Sequence, residues 1–335
     1  MLKGWKLRNK QHGLVLVAAV SISAVAGADL PSAQTPNQAW PTKRVQVVVP
    51  FAPGSATDLL PRTLFEHVSG KVGQPFIVEN RPGGGGAMGV SAVAKAEPDG
   101  HTLLVHSNAL VTSPAIQSMP YDPVQDFAGI TPLGNVPLVL VIAPEKNIKT
   151  LKEFVALAKA KAGSINYAAA GIGTPPHLTM ERFRLTSGFE GQLVPFRGAP
   201  DALTEIITGR VDVYFSPITP AMPFIKEGKL VALAVSSTKR ASALPDVPTT
   251  VEAGFPDTDF DFWIGMAVPK KTPRDLVARI HQETVKGLED ASVQEKLAKL
   301  AVEPMIMTPE AFDARIAKEA ALAVTLAKAA GIAVK

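Results

Sequence analysis

The amino-acid sequence predicts an α/β protein built as two lobes, and three observations support this fold class. The chain has 335 residues, of which 46% are hydrophobic, more than one core of ordinary size takes up. From Trp40 onward, short β-like runs alternate with helical patterns and are separated by Pro and Gly. Such alternation is typical of mainly parallel sheets covered by helices. After a strong apolar run at 136–143 the alternation begins again, which predicts a second α/β unit.

The first block of elements opens with a strand. The run at 45–50 is continuous and rich in Val, as expected of a strand buried on both faces of a sheet. A Gly-rich turn interrupts the block after its second strand. The other predicted elements are a helix at 57–70, a strand at 76–79, a helix at 87–96 and a strand at 102–106.

The second block repeats this order and then leads back to the first. The apolar strands at 136–143 and 262–268 are expected to run between the blocks as a hinge. One lobe would then hold residues 29–135 with 262–335, and the other residues 136–261. The remaining predicted elements are helices at 151–162, 175–187 and 200–208, strands at 166–170, 192–196, 211–215 and 230–236, a surface connection at 243–261, and closing helices at 273–290 and 309–330.

The first 28 residues are predicted to be a secretory signal peptide. Four basic residues lie between positions 3 and 10, and an apolar run at 14–28 ends in Ala26-Gly27-Ala28. A basic start, a short apolar core and a small-x-small end are the parts of such a signal, so cleavage is expected after Ala28. A membrane anchor is the alternative, but the run is shorter than the roughly 20 residues that span a bilayer. The mature chain is therefore expected to be exported.

The charge balance argues against a nucleic-acid partner. The whole chain has 34 Lys and Arg against 30 Asp and Glu, a net charge of +4. The four basic residues of the predicted signal peptide make up that excess, which leaves 30 residues of each sign in the mature chain. Binding to nucleic acid relies on a basic surplus, and the mature chain lacks one.

Groups needed for common catalytic and cofactor chemistry are missing from the sequence. The chain has no Cys, which excludes thiol catalysis, Cys-based metal sites and attachment through a lipidated cysteine. HExxH, Walker A and GxSxG sequences are absent as well. GxGxxG occurs at Gly84, Gly86 and Gly89, but no acidic residue lies about 20 positions on to hold a ribose, so a tight turn is the favoured interpretation. We expect no cofactor, no metal site and no enzymatic activity.

Three strand-to-helix junctions share a design that suits an anion. Residues 50–58, 170–177 and 196–201 each join a strand end to a bend with Pro or Gly and then to a helix start. A helix N-terminus carries free N–H groups and a partial positive charge, so it suits a carboxylate or a phosphate. Ligands of open α/β sheets bind at such carboxyl ends of strands. The alternative for each loop is that it only turns the chain and caps its helix.

Single residues define these junctions further. Thr174 is a suitable N-cap, and Pro175 suits the first helical position. Pro61 is tolerated only in a first turn, so its helix is expected to start no earlier than about Thr57. Asp58 then lies in the first turn, where a structural role is favoured over one in orienting waters or loop amides.

A series of short motifs, in order along nearly all of the mature chain, indicates a family. They are WPTK at 40–43, the 50–58 loop followed by Arg62, VENRPG at 78–83, PDGHTLL at 98–104, the 171–178 loop, FRGA at 196–199 and LPDVPT at 244–249. Through them the chain resembles the substrate-binding receptors of tripartite tricarboxylate transporters, the Bordetella-uptake-gene ("Bug") group of periplasmic proteins.

The resemblance implies a two-lobed periplasmic binding protein fold of type II, in which one loop from each lobe holds a ligand carboxylate through amides, hydroxyls and ordered waters. Two residues depart from the family pattern: Ser55 stands where a second Gly is usual, and Pro61 where a small residue is common. The implied ligand-binding residues are Phe51, Ala52, Gly54, Ser55, Ala56, Thr57 and Asp58 in the first loop, Gly171, Ile172, Gly173, Thr174 and His177 in the second, and Ser107, Asn108, Ala109, Arg197, Gly198 and Asp212 around the cleft.

The resemblance also implies the partners. They are a small mono-, di- or tricarboxylate, captured by hinge closure, and the membrane subunits of a transporter, with the receptor itself monomeric and periplasmic. Two alternatives stay open at this point. The receptor could present its ligand to a sensor kinase, or the scaffold could carry a small-molecule enzyme.

Overall fold

The two predicted blocks form two separate β-sheets in the computed structural model, which describes residues 40–161 and 163–329. Both sheets are covered by helices and belong to one compact unit. The α/β class predicted from the sequence is thereby confirmed. The predicted signal peptide and its cleavage after Ala28 lie outside the described residues.

The first sheet combines parallel and antiparallel strands. Its strands are β1 (Val45–Val49), β2 (Phe76–Asn80), β3 (Thr102–Ser107), β4 (Phe127–Asn135), β10 (Trp263–Pro269) and β11 (Glu303–Pro304). They follow the order β11-β4-β10-β3-β1-β2. β1 runs parallel to both β2 and β3, whereas β10 runs antiparallel to β3 and β4. Four of the five β1 residues are buried, which confirms the prediction of a strand covered on both faces.

The second sheet repeats this arrangement. Its strands are β5 (Leu138–Ile142), β6 (Ile165–Ala169), β7 (Gly191–Pro195), β8 (Val213–Pro217) and β9 (Val231–Val235). They follow the order β7-β6-β8-β5-β9. β6 runs parallel to β7 and β8, and β5 runs antiparallel to β8 and β9. In each sheet one antiparallel strand lies beside the three parallel strands: β10 in the first sheet and β5 in the second. It is the first strand that the chain forms after leaving the other sheet.

The chain passes between the two sheets twice. It crosses first at 136–137, between β4 and β5, and returns along the 236–262 connection between β9 and β10. The Val136 amide donates to the Phe262 carbonyl at 2.8 Å, so the two passages lie side by side. The runs at 136–143 and 262–268 were expected to span the blocks. Each lies instead within the sheet that it enters, because its backbone groups pair there with strands on both sides.

Helices fill the connections between strands. The last three return to the first sheet, where α8 and α10 contact β4 and both α8 and α9 contact α1. The helices are α1 (Ala56–Val72), α2 (Ala87–Ala94), α3 (Ala109–Thr112), α4 (Leu151–Ala160), α5 (Pro175–Ser187), α6 (Ala199–Ile207), α7 (Ile218–Lys226), α8 (Arg274–Glu289), α9 (Ala291–Lys299) and α10 (Pro309–Ala329).

Several elements were not predicted, and in most of them Pro or a missing break obscures the pattern. β4 contains Pro132, and the β4–β10 register shifts beside it, since proline cannot donate to a ladder. α7 contains Pro220 in its first turn and Pro223 in its interior. α9 follows α8 with only Asp290 between them, and the Asp290 side chain caps α9, so no clear break marks a new helix after the predicted end at 290. The short α3 was also not predicted.

Candidate functional site

Two adjoining cavities lie where the parallel strands of both sheets end. The inner void measures about 20 Å³, room for about one water molecule, and the outer cleft measures about 490 Å³. Phe51 and Ala170 line both. The inner void is also lined by Ser55, Ala56, Thr57, Ser107, Thr174, Pro175, Pro176, Gly198, Ala199, Pro217 and Phe262. The outer cleft is also lined by Gly83, Gly84, Gly85, Gly86, Gln117, Gly171, Ile172, Pro195, Phe196, Arg197 and Asp201.

Three helix N-termini converge on the inner void, one from each predicted loop. Their N-cap residues, Ser55 of α1, Thr174 of α5 and Gly198 of α6, all line it. None of the three supplies a side-chain cap. Pro175, Pro176 and Pro200 carry no N–H, so it is the remaining first-turn N–H groups of the three helices that are left without a side-chain acceptor, at a point where the partial positive charges of the helices add.

The hydroxyl groups at these helix starts form hydrogen bonds within their own loops and do not cap the helices. Ser55 Oγ and Thr57 Oγ1 pair with each other at 2.9 Å, and Thr174 Oγ1 donates to the Gly171 carbonyl at 2.7 Å. Helix α4, in contrast, carries a full capping box between Thr150 and Glu153. Side-chain caps are also missing from α2, α7 and α8, so what distinguishes the site is that three uncapped helix starts meet at one void, where an anion can accept their free N–H groups.

Asp58 holds the first loop in place through hydrogen bonds on the side away from the cavities. Its carboxylate is 2% exposed and accepts the Gly54 N–H at 2.8 Å, the Asn80 amide at 2.9 Å and the Arg62 Nε–H at 2.9 Å. Asp58 lines neither cavity, in keeping with the favoured structural role. Helix α1 begins at Ala56, which places Pro61 in its second turn; without an N–H, Pro61 leaves the Thr57 carbonyl without its helical donor.

Replacing Asp58 with Ala is expected to lower the free energy of unfolding by about 2–3 kcal/mol and to weaken ligand binding. The substitution leaves the Gly54 amide and the Asn80 side chain without their buried acceptor, while the half-exposed Arg62 guanidinium turns to water. Asp58→Asn keeps one acceptor oxygen and should lose less. Urea titrations of both variants measure the effect, and wild-type stability in Asp58→Ala would contradict the role.

His177 fixes the second loop. Its Nδ1 accepts the Gly173 N–H at 3.1 Å, so the ring proton sits on Nε2. The ring is 6% exposed and stacks on Tyr167, with 6.4 Å between ring centroids. Burial lowers the pKa of His177, which keeps the neutral form that an accepting Nδ1 requires. His177 therefore holds the loop and does not itself line either cavity.

Beneath His177, Glu181 anchors the same helix. It accepts hydrogen bonds from the Tyr167 hydroxyl and from Arg184, whose Nη2 lies 2.9 Å from Oε2. Burial alone would raise the pKa of Glu181, but the bonds from Arg184 and Tyr167 outweigh it and lower that pKa. The buried carboxylate is thus kept ionised and paired.

Glycines let the two sides of the cleft touch. A Cβ on Gly198 would lie 2.8 Å from Cβ of Ala52, and one on Gly171 would lie 2.9 Å from Cα of Gly85. Distances under 3.0 Å require some atom to move, so backbone meets backbone here only because these side chains are missing. Gly83–Gly86 all have positive φ; the predicted tight turn is confirmed, and it also forms a wall of the outer cleft.

The remaining predicted residues are distributed unevenly. Ser107 lines the inner void, whereas Arg197 lines the outer cleft and lies 3.4 Å from Asp201. Asn108 donates to the Asp261 carbonyl at 2.8 Å and lines neither cavity. Four more predicted residues line neither cavity. They are Ala52, Gly54 and Gly173, which pack behind or between the loops, and the buried Ala109.

Asp212 is not near the cleft, in contrast to the expectation. It immediately precedes β8, pairs with Lys146 and accepts the Asn166 N–H at 2.8 Å. The cavities lie at the other end of that strand, where Pro217 lines the inner void. Because β8 spans five residues, at about 3.3 Å per residue its whole length separates Asp212 from the site.

Sequence reasoning missed several lining residues. Gly83–Gly86 had been recognised as a motif, but only as a turn. Gln117 follows the unpredicted α3, Pro217 immediately precedes the unpredicted α7, and Phe262 lies at a crossing of the chain. None of these three carries a local sequence signal of its own. Only the packing of the two sheets brings them to the site.

The described residues carry neither a metal-binding cluster nor a membrane-spanning helix. Within 40–161 and 163–329, no three His, Asp or Glu side chains are grouped so that they could hold a metal ion. No helix in this part of the chain combines the length and apolar character that crossing a membrane requires.

Two sheets of matching strand order, joined by paired crossings and facing each other across a cleft, define a solute-binding receptor of the periplasmic type. A family model described as "Tripartite tricarboxylate transporter family receptor" matches residues 60–332. The chain belongs to this family. The resemblance inferred from its motifs and the fold that the resemblance implied are both confirmed.

Individual relatives agree along most of the chain. The Bordetella pertussis protein BugT is 31% identical over 308 residues, which is 91% of this chain and 92% of BugT. Rhodopseudomonas palustris Rpa4515, solved with adipate, is 30% identical with a TM-score of 0.84, covering 88% of this chain and 99% of that one. MatC from the same organism, solved with bound malate, is 29% identical with a TM-score of 0.81, covering 85% and 99%.

Proposed function

We propose that this chain is a periplasmic receptor that captures a small carboxylate in the inner void and delivers it to the membrane subunits of a tripartite tricarboxylate-type transporter. One observation carries the proposal: three uncapped helix N-termini, contributed from both sheets, converge on one buried void. Adipate and malate, bound by two relatives, are both carboxylates.

The lining of the inner void favours an anion held by backbone groups. Its lining residues include no Lys, Arg, Asp or Glu, so the local charge comes from helix N-termini. Each such terminus carries roughly half a positive charge, so three together more than offset the single negative charge of a carboxylate. Ser55 and Thr57 also line the void, and because their hydroxyls share one hydrogen bond, one O–H group remains as a further donor. A cation at this point would face the same dipoles with the unfavourable sign.

In this proposal the two cavities hold different parts of the ligand. At about 20 Å³ the inner void accepts only a carboxylate group and excludes a whole organic acid. The rest of the ligand extends past Phe51 into the outer cleft of about 490 Å³, which falls within the range of small-molecule sites. Recognition of the carboxylate and recognition of the ligand's remainder thus fall to different residues.

Capture requires the cleft to open and close. The paired passages at Val136 and Phe262 are the hinge in this proposal, and residues 29–135 with 262–335 move against residues 136–261. Closure brings α5 and α6 onto α1 and excludes water, which strengthens every amide-to-carboxylate hydrogen bond. In this proposal the exported receptor acts as a monomer. It does no chemistry on its ligand, in keeping with a family described as receptors and a neighbour described as a periplasmic binding protein.

A matching carboxylate is expected to stabilise the folded protein. At a ligand concentration 100 times its dissociation constant, the free energy of unfolding should rise by about 2.7 kcal/mol. Thermal unfolding against a panel of mono-, di- and tricarboxylates measures this effect. The primary amide of each active acid is the matched control, because it keeps the shape and removes the charge. Equal stabilisation by acid and amide, or no stabilisation by any acid, would contradict the proposal.

Delivery to a transporter is tested separately. The purified receptor, loaded with the active acid, is added to membrane vesicles that contain the tripartite permease subunits. Uptake of labelled acid that depends on the receptor is the expected result. Uptake that proceeds equally without the receptor would contradict the transporter role and leave carboxylate capture intact.

A further inference from the structure

A short segment on the first-sheet side of the cleft holds the second ligand loop by its carbonyls. Thr112, the last residue of α3, is 8% exposed and donates from Oγ1 to the Gly173 carbonyl at 2.7 Å. Gln117 donates from Nε2 to the Ile172 carbonyl at 3.2 Å. Two consecutive carbonyls of one loop are thus bound by side chains from the opposite side of the cleft.

The peptide between Gly173 and Thr174 links this contact to the inner void. In a trans peptide the N–H points opposite to the C=O, so the Thr174 N–H points away from the Thr112 hydroxyl. Thr174 is one of the residues that line the void. Among the residues that the structure describes, no protein group accepts its N–H. One end of this peptide is therefore held across the cleft while the other is free for a ligand.

The preceding peptide is fixed at both ends. Its C=O, from Ile172, is held by Gln117, and its N–H, from Gly173, donates to His177 at 3.1 Å. Rotation of the loop about this peptide would break both hydrogen bonds. The orientation of the next peptide, and with it the direction of the Thr174 N–H, then depends on Thr112.

The contact exists only when the two sides are fully together. A Cβ on Gly173 would lie 2.7 Å from Cα of Ser113, the neighbour of Thr112. The loop therefore rests directly on the backbone of the 112–113 segment. Any opening of the cleft separates the Thr112 hydroxyl from the Gly173 carbonyl, and water then replaces it as the donor.

We infer that Thr112 is a positioning residue: its hydroxyl latches the closed cleft and aims the Thr174 amide at the ligand carboxylate. This inference rests on the proposed carboxylate capture. Thr112 and the ligand occupy opposite ends of one peptide group, and hydrogen bonds in such a chain polarise and strengthen one another. Since Thr112 does not line either cavity, its contribution is the same for every ligand that closes the cleft.

Thr112→Val tests the latch, because it keeps the shape of the side chain and removes the donor. With adipate and malate as probes, the dissociation constant is expected to rise about 3- to 10-fold for whichever acid binds, by one common factor. The rise should come from faster dissociation, since closure follows encounter. Thr112→Ser keeps the hydroxyl and should bind within about twofold of wild type.

Thr284→Val is the matched control. Thr284 is 2% exposed and also donates to a carbonyl at 2.7 Å, that of Ile280 within α8. It should leave both the affinity and the dissociation rate unchanged. Wild-type affinity in Thr112→Val, unequal factors for the two acids, or an equal loss in Thr284→Val would each overturn the inference.

Small-angle scattering of the ligand-free protein separates this inference from the proposed function. Thr112→Val is expected to raise the radius of gyration relative to both wild type and Thr284→Val, because fewer molecules stay closed. If wild type binds no acid of the carboxylate panel but this increase is seen, the ligand class is wrong and the latch stands. If the acids bind and no increase is seen, the latch is wrong and carboxylate capture stands.

Discussion

Gly198→Ala is expected to weaken ligand binding roughly 10- to 100-fold while leaving the two sheets folded. The added Cβ would lie 2.8 Å from Cβ of Ala52 and 3.1 Å from its backbone nitrogen. Overpacking of this kind costs about 1–3 kcal/mol, and every tenfold in affinity corresponds to about 1.4 kcal/mol. The cost falls on the closed state alone, because an open cleft separates the two residues. Isothermal titration with the active acid measures it.

Backbone strain does not contribute to this effect. Gly198 has φ of 177°, an extended conformation that alanine adopts freely, so the prediction isolates the contact with Ala52. The double variant Ala52→Gly/Gly198→Ala removes the nearest atom and should recover much of the lost affinity. Gly70→Ala is the control, since a Cβ there meets nothing within 4 Å. An unchanged affinity in Gly198→Ala would show that the two loops do not close on each other.

Acidification from pH 7 to pH 4 is expected to lower the free energy of unfolding by about 3 kcal/mol through His106 alone. Burial lowers the pKa of His106 to about 4, against an ordinary value of 6.5. Its Nδ1 bonds with the Ser107 carbonyl at 2.8 Å, and within the described residues its buried Nε2 has no partner. A protonated ring would need an acceptor at Nε2, so the folded state resists protonation.

The direction of the effect follows from proton binding. As the pH falls below 6.5, His106 takes up a proton in the unfolded chain. In the folded chain it stays neutral until about pH 4. The stabilisation is complete above pH 6.5 and is lost between 6.5 and 4. His106→Asn keeps a donor toward the Ser107 carbonyl and removes the titration. The variant should lose less stability than wild type over this range.

Urea titrations at pH 7, 6, 5 and 4 measure the difference between the two proteins. That difference cancels the contribution of carboxylates, which titrate in both. His177, whose pKa is also lowered by burial, keeps a smaller dependence of the same sign in the variant. Parallel curves for wild type and His106→Asn would refute the assignment.

Local patterns in the sequence predicted the three loops and their chemistry, whereas their meeting around one cleft was implied only by the family resemblance. Pro, Gly and hydroxyl residues at 50–58, 170–177 and 196–201 are local signals of a helix start, and all three helices begin there. Whether their N-termini meet depends on the stacking of two sheets that share only two crossings. Contacts such as Gly198 with Ala52 join residues far apart in sequence, and no periodicity encodes them.

Residue-level errors have the same origin. Asp212 came from family resemblance, and the direction of β8 places it at the wrong end of its strand. Pro223 inside α7 and Pro132 inside β4 conceal elements that tertiary packing stabilises against local propensity. Because α7 is concealed in this way, the sequence does not show that Pro217, at the junction of β8 and α7, lines the inner void.

Recognition of an acid by main-chain groups has a consequence for how this receptor can change. Every residue except proline carries the same amide, so substitutions at the helix starts leave the carboxylate anchor in place as long as the new side chain fits the closed cleft. The walls of the outer cleft, in contrast, include side chains such as Phe196 and Arg197, which mutation alters freely. New ligand specificities should therefore arise by exchanging these walls around a constant anchor, and a library confined to them is where a redesign should begin.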